Sequence, residues 1–451
     1  MLPTDFTLTN IGKIEHATIK LNKFTVLCGK NSVGKSFFSK SLFLLYKSIY
    51  EYEEWVYIEI ERKIERCFMN LFFIARLLNS PLRGEISSLR KKIALYLEEK
   101  NLDRLFYLLN KAEKTIKDIE NQTRRSKQLS FFDKQTVNKE LEAKLIAVNE
   151  EINSLKKLLN SLKKLLNSLR ENPYDILKKS IDYFIRLIFK GRICRYGTEI
   201  SNINLGNNYL KLKENKIVSL ECSEIIERKR NVLFIESPFI LEIFEQMAKL
   251  TKSQIPFFKK RYEKYILPYH IEDIINQIRG YEGLPSDNTS LLEKIETIIK
   301  GKLKYSPLKE EIIFQEKKHS IHALNTASGI LTFGVLYLLL QSGAFDENMI
   351  LIFEEPETNL HPEWQVKIVE ILKTLMEGKG VQIFLTTHSP FIVKAVEVLA
   401  LEDKSFKENL SINLLYEDGK TVCDFEESTE KIYDQLLGPF SNLMFKGWFY
   451  E

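Results

Sequence analysis

Gly29-Lys-Asn-Ser-Val-Gly34-Lys35-Ser36 follows at once on the apolar run Phe24-Thr-Val-Leu-Cys28, and an apolar helical pattern continues from about Lys35 to Tyr50. The octapeptide fits G-x-x-x-x-G-K-[ST], and its flanks are the ones that motif requires, a buried strand before and a helix after. Glycines at 29 and 34 allow a tight turn in which successive N–H groups face an anion. The start of the following helix adds its positive end. Lys35 can then reach the β- and γ-phosphates of a nucleotide, and the Ser36 hydroxyl can hold Mg2+. Lys30, Asn31, Ser32, Val33 and Phe37 complete the stretch expected to wrap ATP.

Three segments further along carry matching chemistry. The apolar strand pattern Met349–Phe353 runs straight into Glu354-Glu355-Pro356. Two carboxylates at a strand end beside a phosphate loop divide the work: Glu354 for the metal, Glu355 to orient and deprotonate the attacking water. A second apolar strand, Val381–Leu385, ends in Thr386-Thr-His388-Ser-Pro390. A histidine just past the carboxyl end of a strand stands where open α/β sheets bind ligands, within reach of the γ-phosphate. Finally, Asn325-Thr-Ala-Ser328-Gly329 precedes a strongly apolar helix, with Ser328 as the expected N-cap and its neighbouring N–H groups as an anion site.

Taken together, GKNSVGKS at 29–36, NTASGI at 325–330, LIFEEPETNLHPEWQ at 351–365 and LTTHSP at 385–390 resemble the ABC-type ATPase heads of SMC, RecF and related DNA-repair proteins. They resemble still more the bacterial AAA family ATPase group that includes OLD-family ATPases and the ATPase subunits of the PARIS and Septu antiphage systems. The resemblance covers roughly residues 1–50 and 195–400. It implies an α/β fold, an ABC-type P-loop ATPase head whose mixed sheet is flanked by helices. It further implies that two heads dimerise head-to-tail around two ATP molecules. Lys35 and Ser36 of one head would face Ser328 and Gly329 of the other. Glu355 would be the catalytic carboxylate, His388 the switch histidine, and Asn359 and His361 part of a loop crossing the dimer interface. The sequence departs from the pattern in three ways: Glu354 replaces the usual Asp, the signature is T-A-S-G rather than L-S-G-G, and no Q-loop glutamine can be placed, since Gln122, Gln128 and Gln135 lie in helical sequence.

The organisation expected is a head interrupted by a helical arm: residues 1–50 with the phosphate loop, 51–190 as a helical or coiled-coil insertion, 191–320 as the head's middle part with a helical segment at 239–302, 321–400 as its last part, and 401–451 as a tail. Short strands are expected at Tyr209–Leu212, Lys216–Leu220 and Asn231–Ile235, the last ending at Glu236, and a hairpin at Ile312–Gln315 and His319–Ala323. Within the arm, Leu141, Leu145, Val148, Ile152, Leu155, Leu159, Leu162, Leu166 and Leu169 alternate spacings of four and three, an a/d seam of about four heptads ended by Pro173. Such a seam needs a partner, either an antiparallel helix from residues 85–120 or another subunit.

Composition narrows the functional classes. The 451 residues are 44% hydrophobic and 28% charged, ordinary for a globular chain, and no run approaches a membrane span. The five cysteines are scattered and the six histidines form no H-E-x-x-H pair, so disulfide frameworks and zinc sites are not expected. Without a secretory leader the expected location is the cytoplasm. The net charge of +5 conceals a basic body and an acidic last quarter. Arg124-Arg125-Ser-Lys127, Lys156-Lys157, Lys163-Lys164 and Lys259-Lys260-Arg261 with Lys264 are candidate phosphate contacts for DNA, the last interleaved with Phe257, Phe258, Tyr262 and Tyr265. Solvated helix faces explain the same runs. OLD proteins carry a Toprim nuclease after the head, and the 63 residues following His388 are too few for one. The expected function is therefore an ATPase subunit of an antiphage defence complex, a homodimer or higher homo-oligomer that controls a separate effector, in all expectation a nuclease. The alternative is a DNA-binding repair or chromosome ATPase of the RecF or SMC kind.

Overall fold

The computed structural model describes residues 4–77, 173–236, 268–280 and 289–447, with scattered residues between 88 and 167 and between 240 and 244. The chain divides into two compact units, residues 1–50 with 181–451, and residues 51–180.

In the first unit β1 (Thr4–Ile11) and β2 (Ile14–Leu21) form an antiparallel hairpin, and β3 (Phe24–Cys28) leads to the phosphate loop and the helix Lys35–Tyr50. After the insertion come β4 (Ile200–Leu205), β5 (Asn208–Lys213), β6 (Lys216–Glu221) and β7 (Asn231–Ile235). Helices Tyr269–Arg279 and Thr289–Ile299 precede β8 (Lys302–Ser306), β9 (Glu311–Glu316) and β10 (His319–His322). Helix Ser328–Gln341 leads to β11 (Met349–Glu354), helix Pro362–Lys379 to β12 (Gln382–Thr387), and helix Pro390–Glu402 toward β13 (Leu410–Leu415) and β14 (Thr421–Val422).

The central sheet has the order β14-β13-β3-β12-β11-β7 and is parallel except at the β13–β14 pair. Its strands β3, β11, β12 and β13 are buried at every position; β3 and β11 accordingly read as apolar runs, whereas β13 carries buried Ser411 and Asn413 and β12 carries buried Gln382, Thr386 and Thr387. A second, five-stranded antiparallel sheet runs β2-β1-β4-β5-β6, and its strands alternate: Phe6, Leu8 and Ile11 face inward while Thr7 and Thr18 join hydroxyls on the other face at 2.8 Å. Buried Asn413 links the two sheets by accepting from the Lys20 amide at 2.8 Å and donating to the Lys20 carbonyl at 3.0 Å. This is the α/β P-loop head plan, a mixed sheet flanked by helices.

Register matters more than outline. Thr387 pairs with Cys28, Glu354 with Thr386, and Phe353 with Ile235. Four strands therefore end level, and Gly29, His388, Glu354–Glu355 and Glu236 emerge from one edge, where ligands bind in such sheets. The P-loop helix is anchored beneath this edge by fully buried Lys47, 2.8 Å from Asp273 and 3.1 Å from Asn231 Oδ1.

Several expectations change. The hairpin at 312–323 is present as β9 and β10 and gains β8 as a third strand, just after the segment read as helical. Strand β4 has no counterpart in the sequence reading, because its alternating Ser and Asn conceal an inward row of Ser201, Ile203 and Leu205. Pro173, expected to end the heptad helix, begins a new one, Pro173–Phe189, a position where proline's missing N–H costs nothing, and residues 168–172 before it lie outside the described residues.

In the second unit, helix Tyr52–Leu77 opens the arm. Of the heptad, Ile152, Leu159, Leu162 and Leu166 are buried, and so is Ile116. Lys156 pairs with Glu120 at 2.6 Å and Lys163 with Glu113 at 2.7 Å. Seven residues forward on one segment match seven backward on the other, the register of an antiparallel pair, so the seam's partner comes from residues 85–120 of the same chain. The same two contacts neutralise Lys156 and Lys163. Leu141, Leu145, Val148, Leu155 and Leu169, and the basic runs at 124–127 and 257–265, lie outside the described residues.

Candidate functional site

Strand β3 delivers Gly29 into a turn no other residue fits. Gly29 has φ +154° and Gly34 φ +116°. A Cβ on Gly29 would lie 2.5 Å from the Leu415 carbonyl oxygen, and one on Gly34 would lie 2.9 Å from Ile14 Cγ1. Between them Ser32 takes φ +67°, so the chain coils back on itself before helix Lys35–Tyr50 begins. Lys30, Asn31, Ser32 and Ser36 are exposed, whereas Val33 packs inward. The Phe37 side chain points away from the open face of the loop. Its ring stacks on Phe189 at 6.4 Å and occupies the space beside Gly12, so its side chain serves packing.

Lys35 is buried, and its Nζ donates to the carbonyls of Gly29 (2.9 Å) and Lys30 (3.0 Å). Burial pushes its ammonium pKa down, opposed by the nearby carboxylates, Glu355 foremost. The loop thus holds a desolvated cation against its own carbonyls, 3.8 Å from Glu355 Oε1.

Glu354, 5% exposed, accepts from the Ser36 hydroxyl at 3.3 Å through Oε2, while Oε1 is buried without a partner. Burial raises its carboxyl pKa, and Glu236 adds to the shift. A hydroxyl and a carboxylate with a desolvated oxygen are the hard donors a small divalent cation takes, so Ser36 and Glu354 are residues that would fit Mg2+. Among the described residues no group of three His, Cys, Asp or Glu side chains forms a further metal site.

Glu355 sits at φ +44°, its amide donating to Thr386 O at 2.9 Å. This left-handed backbone turns its carboxylate back over the loop, where Oε1 lies 3.4 Å from His388 Nδ1. The His388 contact holds the Glu355 carboxyl below its ordinary range, with Lys35 contributing. The reciprocal effect raises the His388 pKa, with Glu357 contributing. Lys35, Glu355 and His388, distant in sequence, form one chain of contacts.

Ser328 and Gly329 lie elsewhere. The N-cap of helix Ser328–Gln341 is Ala327, with extended backbone and no side-chain cap, so Ser328 is the first helical residue rather than the cap. Its hydroxyl is exposed. Gly329 is buried where a Cβ would come within 3.1 Å of the Trp364 ring and 3.3 Å of the Asn359 carbonyl. Asn359, at φ +65°, and His361, which caps helix Pro362–Lys379, are both exposed. Among the described residues no hydrogen bond or ion pair joins Ser328 or Gly329 to residues 29–37 of the same chain.

The sequence reading missed two sets of residues. Glu357 is buried beneath His388, and Gln365 holds Ser389; neither announces itself in one dimension, because their partners lie about 30 residues away. Glu236, at the end of β7, is 2.8 Å from buried His270 and 3.0 Å from Lys40 of the P-loop helix. For Glu236 a signal existed: an apolar strand running into a carboxylate, as at 349–355. The His270 contact, aided by Lys40, lowers its carboxyl pKa to about 2. A folded pKa below the unfolded value gives stability that is present above about pH 4.5 and lost as pH falls through about 2. Glu236→Gln is expected to flatten the acid limb of a melting-temperature profile over that window. An unchanged slope would show that Glu236 is not held as described.

Among the described residues no helix is long and apolar enough to cross a membrane. The profile of a family described as "AAA ATPase domain" matches residues 4–393. No curated protein matches the sequence. Of solved structures, the SMC head domain from Thermotoga maritima aligns over 94% of this chain and 98% of its own, at 9% identity and a TM-score of 0.36. An Smc head domain with an extended coiled coil, bound to the C-terminal domain of ScpA and derived from Pyrococcus furiosus, aligns over 96% and 99%, at 10% identity and a TM-score of 0.30.

Proposed function

The chain belongs to the AAA ATPase domain family, and from that premise we propose that it hydrolyses ATP in a site completed by a second copy of itself. One observation carries the reading: Lys35, Glu355 and His388 stand within 3.8 and 3.4 Å of one another, beside the Ser36–Glu354 pair. In this reading the loop amides and Lys35 bind the β- and γ-phosphates. Ser36 and Glu354 hold Mg2+, which when bound neutralises charge on the phosphate oxygens. Glu355, ionised because His388 and Lys35 hold its pKa down, orients the attacking water and accepts its proton. His388 keeps Glu355 aimed and reaches the γ-phosphate. Ser328 and Gly329 of the second copy close the site.

A mixing experiment tests the shared site. Ser328→Arg is expected to lower turnover at least ~10-fold with ATP affinity within about threefold, since it blocks only the partner's site. Mixing it with Lys35→Ala chains restores activity, because each mixed pair rebuilds one intact site. Full turnover by Ser328→Arg alone, or no gain on mixing, would sink the two-copy site.

The biological setting rests on the EEPETNLHP and TTHSP strings, which resemble defence ATPases: a cytoplasmic sensor and scaffold subunit, OLD-like, that restrains or releases a separate nuclease according to its ATP state. The arm at 51–180 serves as its assembly or sensing element. The described lysine pairs give no support to the DNA-binding alternative, since Lys156 and Lys163 are already matched to Glu120 and Glu113. Tagged Glu355→Gln protein, recovered from its host in Mg-ATP and weighed under native conditions, separates the two. A stoichiometric second protein supports the defence reading; a homodimer carrying DNA alone overturns it.

A further inference from the structure

We infer that Glu357 and Gln365 are positioning residues that hold His388 by tying the turn after β12 to the loop 357–361. The inference rests on the ATPase reading above.

Glu357 is 7% exposed and opens the loop, its carbonyl accepting from the Leu360 amide at 2.9 Å. Its Oε1 accepts two bonds from the turn after β12: the Thr387 hydroxyl at 2.7 Å and the His388 amide at 2.8 Å. Thr387 Oγ1 in turn accepts from the Ser389 amide at 3.0 Å. The same carboxylate oxygen lies 3.4 Å from His388 Nδ1, so Glu357 touches both main chain and ring of the histidine. Its Oε2 is buried without a partner.

Gln365 makes the second tie. It accepts from the Ser389 hydroxyl at 2.5 Å and donates to the Leu360 carbonyl at 2.9 Å. Residues on both sides of His388 are thereby fastened to both ends of the loop. Between the ties, Asn359 and His361 are exposed, and Gly329 lies directly against the Asn359 carbonyl. A shift of this loop cannot leave His388 where it was, and His388 is the partner that sets Glu355.

The test uses the full chain and steady-state kinetics in wild-type and His388→Ala backgrounds. Glu357→Leu is expected to lower kcat ~10–100-fold with KM for ATP within about threefold, the signature of a lost transition-state contact rather than lost binding. In the His388→Ala background the same change should cost less than about twofold, because the group it positions is gone. Glu357→Gln, which keeps an acceptor oxygen for Thr387 and His388, should stay within about fivefold of wild type. Gln365→Leu should lower kcat in the same non-additive way, and it carries the test if Glu357→Leu fails to fold. Wild-type kcat in both Leu variants, or losses that multiply with that of His388→Ala, would overturn the inference. Absence of turnover in the wild-type protein would overturn the ATPase reading itself, and the positioning role with it.

Discussion

Glu355→Gln is expected to lower ATP turnover by about 10²–10⁴-fold, the range a general base contributes, while ATP affinity stays within about threefold. The asymmetry follows from the contacts. Lys35 is held by the Gly29 and Lys30 carbonyls at 2.9 and 3.0 Å, closer than its 3.8 Å approach to Glu355, so the phosphate loop keeps its form. What is lost is a carboxylate kept ionised by His388 and Lys35. Gln has the same length and tolerates the φ of +44° about as well as Glu, so the backbone turn and its bond to Thr386 survive. In the two-copy reading, bound but uncleaved ATP holds the heads together. The variant should therefore run as a larger species in Mg-ATP than the wild type by light scattering, and return to monomer size when nucleotide is removed. Turnover within threefold of wild type would remove Glu355 from the base position and leave His388 without its assigned partner.

How much of this site was legible in the sequence depended on whether a residue's role is set by local chain or by distant neighbours. Gly29, Gly34, Lys35 and Ser36 lie on one turn, so spacing alone singles them out as candidates. Strands β3, β11 and β12 were legible because a parallel strand buried on both faces carries a mostly apolar run. Glu354, Glu355 and His388 follow from where those strands end. Ser328 was misjudged as a cap because the N-cap is fixed by the extended φ and ψ of Ala327, which residue preference does not encode. Phe37 was counted with the loop by position, yet Gly12 and Phe189, far apart in sequence, decide where its ring goes. Glu357 and Gln365 were invisible for the same reason: their partners sit on the turn between β12 and the next helix. The heptad reported the need for a partner but not its identity, which the spacing of Glu113 and Glu120 against Lys163 and Lys156 supplies.

Lys35→Ala is expected to weaken ATP binding about 10²-fold or more, or about 2.8 kcal/mol at tenfold per 1.4 kcal/mol, and to abolish turnover. The size follows from what the ammonium does. It is desolvated already, so a phosphate oxygen that meets it gains a charge-assisted bond at little further desolvation cost. Alanine removes that bond and leaves the Gly29 and Lys30 carbonyls to find other donors. Part of the loss is therefore loop order rather than direct contact, and Lys35→Met separates the two. Its side chain fills much of the same space, so a binding loss equal to that of Lys35→Ala assigns the effect to charge, and a smaller one assigns the remainder to packing. Calorimetric titration with ATP, beside a thermal melt without nucleotide, gives both numbers. Undiminished affinity in both variants would refute the phosphate-loop assignment, and with it the roles given to Ser36, Glu354 and Glu355. Weakened affinity with an unchanged melt would place the effect at the phosphates, because a buried cation removed from a loop it was stabilising must otherwise lower the melting temperature.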